Sequence, residues 1–258
     1  MVRWRRYARA NGFDSTIDGT FFLAVNPMEN RTYGHLFTFN ADNKTAMEIT
    51  SSNLKMTPTA ISISPSKRNT KVFLKNSETE KSTIEVLNFD EPNRKLQHIR
   101  TINHPIIDSV YDVAAVSSTT FFASVTTLRG RMVVIERMVQ VSMGSIVFHD
   151  GKSFKTVVPS ISAPTGLVFD SFRKVLLVGL FARNSIAVYF VRGKSVEYSH
   201  EVEVGCSPTS LWKDIDGSLI ITCQPVRWRY LLPLLTAAPS SPSQVLSVKI
   251  PLDPNKSA

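Results

Sequence analysis

Pro164-Thr-Gly-Leu-Val-Phe169, Lys174-Val-Leu-Leu-Val178, Ser185-Ile-Ala-Val-Tyr189 and the run from Val196 to Val204 follow one another across short polar connections. Each run is rich in β-branched and aromatic residues and bounded by Pro, Gly, Asn, Asp or Ser, the pattern of short strands joined by tight turns. Working outward, the same unit recurs. First strands read Pro58-Thr-Ala-Ile-Ser-Ile63, Ser109-Val-Tyr-Asp-Val-Ala114 and Pro208-Thr-Ser-Leu-Trp212. With Pro164 included, the starts at 58, 109, 164 and 208 lie 51, 55 and 44 residues apart. Second strands follow at Lys71–Leu74, Thr120–Ala123 and Ser218–Ile221, and third strands at Thr83–Leu87, Ser145–Phe148 and Gln244–Val248. Fourth strands fall at Leu96–Ile102 and Phe154–Val158, and a looser copy runs through Gly19–Ala24 and His35–Phe39.

Four-strand units at a period near 50 residues predict an all-β propeller, each sheet burying its faces against its neighbours. A β-sandwich with the same strand spacing is the alternative. Parallel α/β folds are excluded for want of crossover helices. Residues 1–12 read as a basic tail, 13–252 as the propeller domain and 253–258 as a C-terminal tail.

One stretch breaks the pattern. Between a second and a third strand lies Leu128 to Met143, in which Leu128, Met132, Ile135 and Val139 fall at helical spacing with Arg129, Glu136 and Gln140 opposite. This predicts a short inserted helix, with two further short strands as the alternative. As an amphipathic helix it would suit a channel mouth or a membrane surface.

The 258 residues are 43% hydrophobic and 20% charged, enough for a full core and too apolar for intrinsic disorder. Two cysteines exclude a disulfide-framework fold and a four-thiolate zinc site, and the five histidines never take zinc-hydrolase spacing. The net charge of +9 is local. Six arginines (Arg3, Arg5, Arg6, Arg9, Arg227 and Arg229) account for most of it, leaving 24 basic against 21 acidic residues. That distribution argues against a nucleic-acid partner, which wants a basic stripe with aromatics placed to stack bases. Neither a secretory signal nor a run of about 20 apolar residues is written in the chain. Sequons stand at Asn30, Asn43 and Asn255, close to the number chance supplies.

The run Lys81-Ser-Thr-Ile-Glu-Val-Leu-Asn-Phe89, the stretch ending Thr101-Ile-Asn-His104, Val110-Tyr-Asp-Val-Ala-Ala-Val116 and Phe121-Phe-Ala-Ser124 resemble the paraoxonase/arylesterase family in order and spacing. Thr165-Gly-Leu, Asn184-Ser-Ile-Ala-Val-Tyr189, Leu219-Ile-Ile-Thr-Cys-Gln-Pro225 and Ser243-Gln-Val-Leu246 continue the likeness. The resemblance implies a six-bladed propeller, secreted or membrane-associated, with both ends of the family pattern missing here and closure of the ring left open. It also implies a catalytic calcium that polarises an ester or lactone carbonyl and stabilises the developing oxyanion.

Carried over position by position, the catalytic site is substituted. The family's calcium ligands fall at Phe13, Tyr111, Val168, Pro208 and Thr209, none of them a carboxylate or amide. Calcium wants about 6–8 hard oxygens, several of them anionic. The family's base histidine falls at Ser77, which cannot act as a base near neutral pH. Its supporting histidine is kept as His104, which standing alone reads as a packed or turn histidine rather than a catalytic one. The family's second, structural calcium uses two aspartates, kept here as Asp14 and Asp112, with a backbone carbonyl near Thr79. Cys223 matches a free cysteine of the family, whereas Cys206 has no counterpart, so a bridge between the two is left open.

Three functions compete. The substitutions favour a non-hydrolytic binding or assembly factor at a membrane, reached through residues 128–143. Some nematode members of the family are thought to assist degenerin-type sodium channels. Collinearity favours a calcium-dependent arylesterase or lactonase. An unrelated propeller interaction module is the third reading.

Overall fold

Alternating apolar positions and turn-forming residues give, among the described residues, nineteen strands in five sheets, the strand order in each sheet following the chain. The computed structural model describes residues 10–16, 19–25, 33–40, 44–49, 55–64, 70–77, 81–128, 132–138, 140–236 and 241–251. The first sheet holds β1 (Ala10–Ser15), β2 (Thr20–Val25), β3 (His35–Asn40) and β4 (Thr45–Glu48). The second holds β5 (Pro58–Ile63), β6 (Lys71–Asn76), β7 (Thr83–Asp90) and β8 (Lys95–Ile102). The third is made of β9 (Val110–Ala115), β10 (Phe121–Val125), β11 (Gly144–His149) and β12 (Phe154–Ile161). The fourth comprises β13 (Pro164–Asp170), β14 (Val175–Leu180), β15 (Ser185–Arg192) and β16 (Ser195–Glu203). The fifth has three strands, β17 (Ser207–Lys213), β18 (Leu219–Gln224) and β19 (Gln244–Val248). Successive up-and-down meanders of this kind are propeller blades. Among the described residues five blades are seen, against the six that the resemblance implies. By internal packing the chain divides into two compact units, residues 1–121 and 122–258.

The fourth sheet shows how sequence writes a blade. Asp170 Oδ1 accepts the backbone N–H groups of Phe172 and Arg173 at 3.0 and 3.1 Å, folding the turn into β14. Lys174 and Asn184 close their turns in the left-handed region, at φ 56° and 58°. In the first unit, Phe22, Leu36, Ile61, Val72, Leu74 and Leu87 form the core. In the second, Val175, Leu177, Ile186, Val188 and Ile221 do so. There β13 packs on β17, and Gly166 permits the approach: a Cβ at this position would lie 2.6 Å from the backbone nitrogen of Leu211.

Two strands escape the sequence pattern. β4 is largely exposed, so no buried alternation marks it, and β1 begins within the stretch read as a basic tail.

Among the described residues the inserted segment forms a helix, α1, over Val133–Met138, and its orientation corrects the amphipathic reading; Arg129 and Val139 lie outside the described residues. Glu136, placed on the polar face by its spacing, is fully buried, whereas Met132, Ile135 and Met138 are about half exposed. The physical reason is local. Glu136 Oε2 accepts the backbone N–H groups of Thr127 and Leu128, both at 3.2 Å, so the carboxylate turns inward to hold the incoming loop. A second helix that periodicity did not announce, α2 (Arg227–Leu231), runs into a 3₁₀ turn at Leu232–Leu234. α1 and α2 are in contact, and Val134 and Leu231 share an apolar cluster with Ala163, Phe181 and Ala182. Arg137 lies over the rings of Phe181 and Tyr230, 5.4 and 6.0 Å from their centroids.

Cys206 and Cys223 form a disulfide, so the bridge left open by the sequence is made, and Cys223 departs from the free cysteine of the family that it matches. The pairing of Pro208 with Cys223 across β17 and β18 sets the two cysteines side by side.

Candidate functional site

In the first unit Asp14 and Asp112 stand on β1 and β9, and β5 packs on both strands. Asp14 Oδ1 accepts the N–H of Ser15 at 2.8 Å, while Oδ2 accepts the N–H of Ile63 at 2.6 Å and the hydroxyl of Ser62 at 3.3 Å. Burial of the carboxyl pushes its pKa up to about 6 against the pull of these three bonds. Asp112 Oδ1 accepts the N–H of Val113 at 2.9 Å. Ser62 is the link between the two strands. Its oxygen also accepts the N–H of Ala115 on β9, at 3.0 Å. Sequence reasoning missed Ser62, although a polar residue between Ile61 and Ile63 in a buried strand is a readable signal.

The other predicted positions of this unit are engaged locally. Phe13 stacks on Phe21 with ring centroids 5.4 Å apart. The Ser77 and Thr59 hydroxyls lie 3.1 Å apart. Tyr111 is half-buried on β9. His104, exposed, precedes the 3₁₀ turn Pro105–Ile107 and caps it, Nδ1 accepting the N–H of Ile106 at 3.1 Å.

In the second unit Val168 lies on β13, and Pro208 and Thr209 on β17. Val168 packs against the apolar core. The Pro208 carbonyl accepts the Thr165 hydroxyl at 2.9 Å. The Thr209 hydroxyl donates to the Thr222 carbonyl at 2.9 Å. No acid or amide side chain stands at these three positions.

The Asp14 and Asp112 carboxylates are hard oxygen donors of the kind calcium takes, and backbone carbonyls can complete such a set; Ser62 ties Asp14 to the backbone of β9 at Ala115. Among the described residues no group of three or more His, Cys, Asp or Glu side chains is placed to hold a metal. Thr79, the carbonyl neighbourhood that the resemblance implies, lies outside the described residues, as do Asn30, Asn43 and Asn255.

The Arylesterase family pattern matches residues 12–257, nearly the whole chain. The chain belongs to the arylesterase family. Mechanosensory abnormality protein 6 of Caenorhabditis elegans is 30% identical over 164 residues, covering 60% of this chain and 43% of that protein. Serum paraoxonase/lactonase 3 of Rattus norvegicus is 25% identical over 180 residues, 67% of this chain and 50% of that protein. The chain thus spans half or less of the length of these relatives. A solved putative gluconolactonase superposes with a TM-score of 0.54 at 12% identity, covering 85% of this chain and 74% of that one, a likeness of fold alone. The family is usually calcium-dependent. A disulfide suits an oxidising compartment. Among the described residues no helix is long and apolar enough to cross a membrane.

Proposed function

We propose that this arylesterase-family chain is a non-hydrolytic binding or assembly factor of the secretory route, working at a membrane surface. One observation carries the reading. The side chains at the family's catalytic-calcium positions are engaged in packing or in bonds to the protein itself. Phe13 stacks, Val168 fills a core, Pro208 offers no side-chain donor and the Thr209 hydroxyl is bound to Thr222. A divalent ion gains nothing there to repay its dehydration. The five sheets are read as five of the six blades of the family architecture.

A structural calcium held by Asp14 and Asp112 is part of the proposal, supported by the presence of both carboxylates on β1 and β9, strands that each pack on β5. Membrane or membrane-protein contact is assigned to residues 128–143, supported by the exposed Met132, Ile135 and Met138. The alternative, calcium-dependent ester or lactone hydrolysis, rests on family membership. Phenyl acetate and a simple lactone decide between the two. No turnover above background is expected with or without calcium, and turnover abolished by a chelator would overturn the non-hydrolytic reading. Liposome flotation of the chain and of a Met132→Ser/Ile135→Ser/Met138→Ser variant tests the membrane contact. Equal flotation of both removes residues 128–143 from it.

A further inference from the structure

A cavity of about 270 Å³ lies in the second unit, lined by Met138, Asn184, Ser207, Pro225, Arg227 and Trp228. Arg227 is the single charged residue of that lining, and its hydrogen bonds run to neutral oxygens. Nε donates to Ser207 Oγ at 3.1 Å and Nη2 donates to Asn184 Oδ1 at 2.8 Å. Ser207 Oγ in turn donates to the same Oδ1 at 2.8 Å, closing a ring of three residues. Ser207 is almost fully buried, and Asn184 is fixed in a left-handed turn, so the ring holds the guanidinium by one edge.

The geometry determines what is left. A guanidinium carries five N–H donors. The Nε and Nη2 protons used here form one edge of the plane. The adjacent end edge, between Nη1 and Nη2, keeps two parallel N–H vectors, the fork that matches the two oxygens of a carboxylate.

No carboxylate of the described residues pairs with it, whereas Arg183, next to Asn184 in the chain, is matched with Glu201 at 2.8 Å. Burial lowers the Arg227 pKa, yet a guanidinium stays charged in proteins. A partly buried cation without an acid is costly unless an anion joins it.

The remaining walls describe the rest of the ligand. Trp228 offers an aromatic surface and Met138 a deformable thioether, both apolar and accessible from solvent. A single fork, with no lysine or second arginine in the lining, suits a monoanion rather than a phosphate dianion. The volume lies below the roughly 300–1,000 Å³ of pockets for drug-sized molecules, so the ligand is small.

We propose that this cavity binds a small monocarboxylic acid with an aryl or short alkyl body. Its carboxylate sits on the free edge of Arg227 and its body against Trp228 and Met138. Ser207 and Asn184 are positioning residues that orient the fork. Occupation of the cavity needs neither calcium nor hydrolysis, so it stands or falls separately from the proposed function.

Calorimetric titration of the purified chain in chelator, with phenylacetate as probe, tests this. Saturable binding is expected, about tenfold or more weaker for the neutral isostere phenylacetamide and for Arg227→Gln. Arg227→Lys keeps the charge and loses the fork, so it too binds more weakly. Met138→Trp fills the mouth without touching the Ser207–Asn184 ring, and abolishes binding in a chain whose circular dichroism is unchanged. Absence of saturable phenylacetate binding overturns the proposal. So does equal affinity for phenylacetamide, tighter binding of inorganic phosphate, or full affinity in Met138→Trp.

Discussion

Cys206 and Cys223 are joined by a disulfide that ties the residue before β17 to the far end of β18, with Cα atoms 5.8 Å apart. The bridge is buried in the core of the second unit. Ser207, beside Cys206, pairs with Gln224, beside Cys223, and Arg227 follows within one helical turn, so the bridge holds two walls of the cavity in register.

Replacing both cysteines by alanine is therefore expected to lower stability by about 3 kcal/mol, the cost of releasing a loop of this order of length. Urea unfolding of the oxidised protein and of the variant measures it. Phenylacetate affinity falls in the same variant, because Ser207 and Arg227 lose their common anchor.

Asp170 supplies a pH test. Burial raises its pKa, but the Arg173 amide, the Lys213 ammonium at 3.1 Å and the Phe172 amide outweigh that, and the net shift is downward. A depressed folded-state pKa contributes stability that is complete above the unfolded-chain value near 3.8 and is lost as pH falls through the lower folded value. The expected difference between the native chain and Asp170→Asn is about 2 kcal/mol near neutrality, in the range for hydrogen bonds to a charged group. It vanishes in strong acid. A difference independent of pH would assign Asp170 a purely geometric role in its turn.

Glu136 illustrates what the sequence could and could not reveal. Strands such as β14, Val175–Leu180, were legible because a buried run flanked by Lys174 and Asn184 admits few other readings. The face of a six-residue helix was not, because so few positions define a stripe and one carboxylate bonded to the Thr127 and Leu128 amides decides the orientation. The disulfide was equally hidden, since it depends on cross-strand register rather than on spacing. Ser62 itself was readable as a polar residue in a buried strand, but its partners were not, because they lie on β1 and β9, far away in sequence.

For Glu136 the expected outcomes separate the acceptor from the charge. Glu136→Ala leaves two amides unpaired and costs about 1–3 kcal/mol. Hydrogen exchange at Thr127 and Leu128 accelerates accordingly. Glu136→Gln keeps an acceptor. Burial raises the Glu136 pKa, so the native chain loses stability relative to the Gln variant as pH rises through that raised value. A Gln variant that falls behind with rising pH would contradict this.

Gly166 tests the packing that carries Val168 toward β17. Alanine there drives a methyl group against the Leu211 backbone, so strand separation costs about 1–3 kcal/mol. Thermal unfolding of Gly166→Ala measures it, and an unchanged midpoint would mean that β13 and β17 can part without loss.

Ser62 and Asp14 give the sharpest test of the first unit. Ser62→Ala leaves the buried amide of Ala115 without its acceptor and removes one donor from Asp14, costing about 1–3 kcal/mol. Asp14→Asn frees the Ser62 hydroxyl from its anion, so the two substitutions couple, by about 0.5–3 kcal/mol in a double-mutant cycle. Calcium separates structure from ion binding. If Asp14 and Asp112 hold a structural calcium, added calcium raises the unfolding midpoint of the native chain and of Ser62→Ala, because an ion bound only by the folded state stabilises it. The same addition leaves Asp14→Asn and Asp112→Ala unmoved. A native chain whose midpoint ignores calcium would leave both aspartates with the roles their hydrogen bonds already give them, orienting the Ser15, Ile63 and Val113 amides.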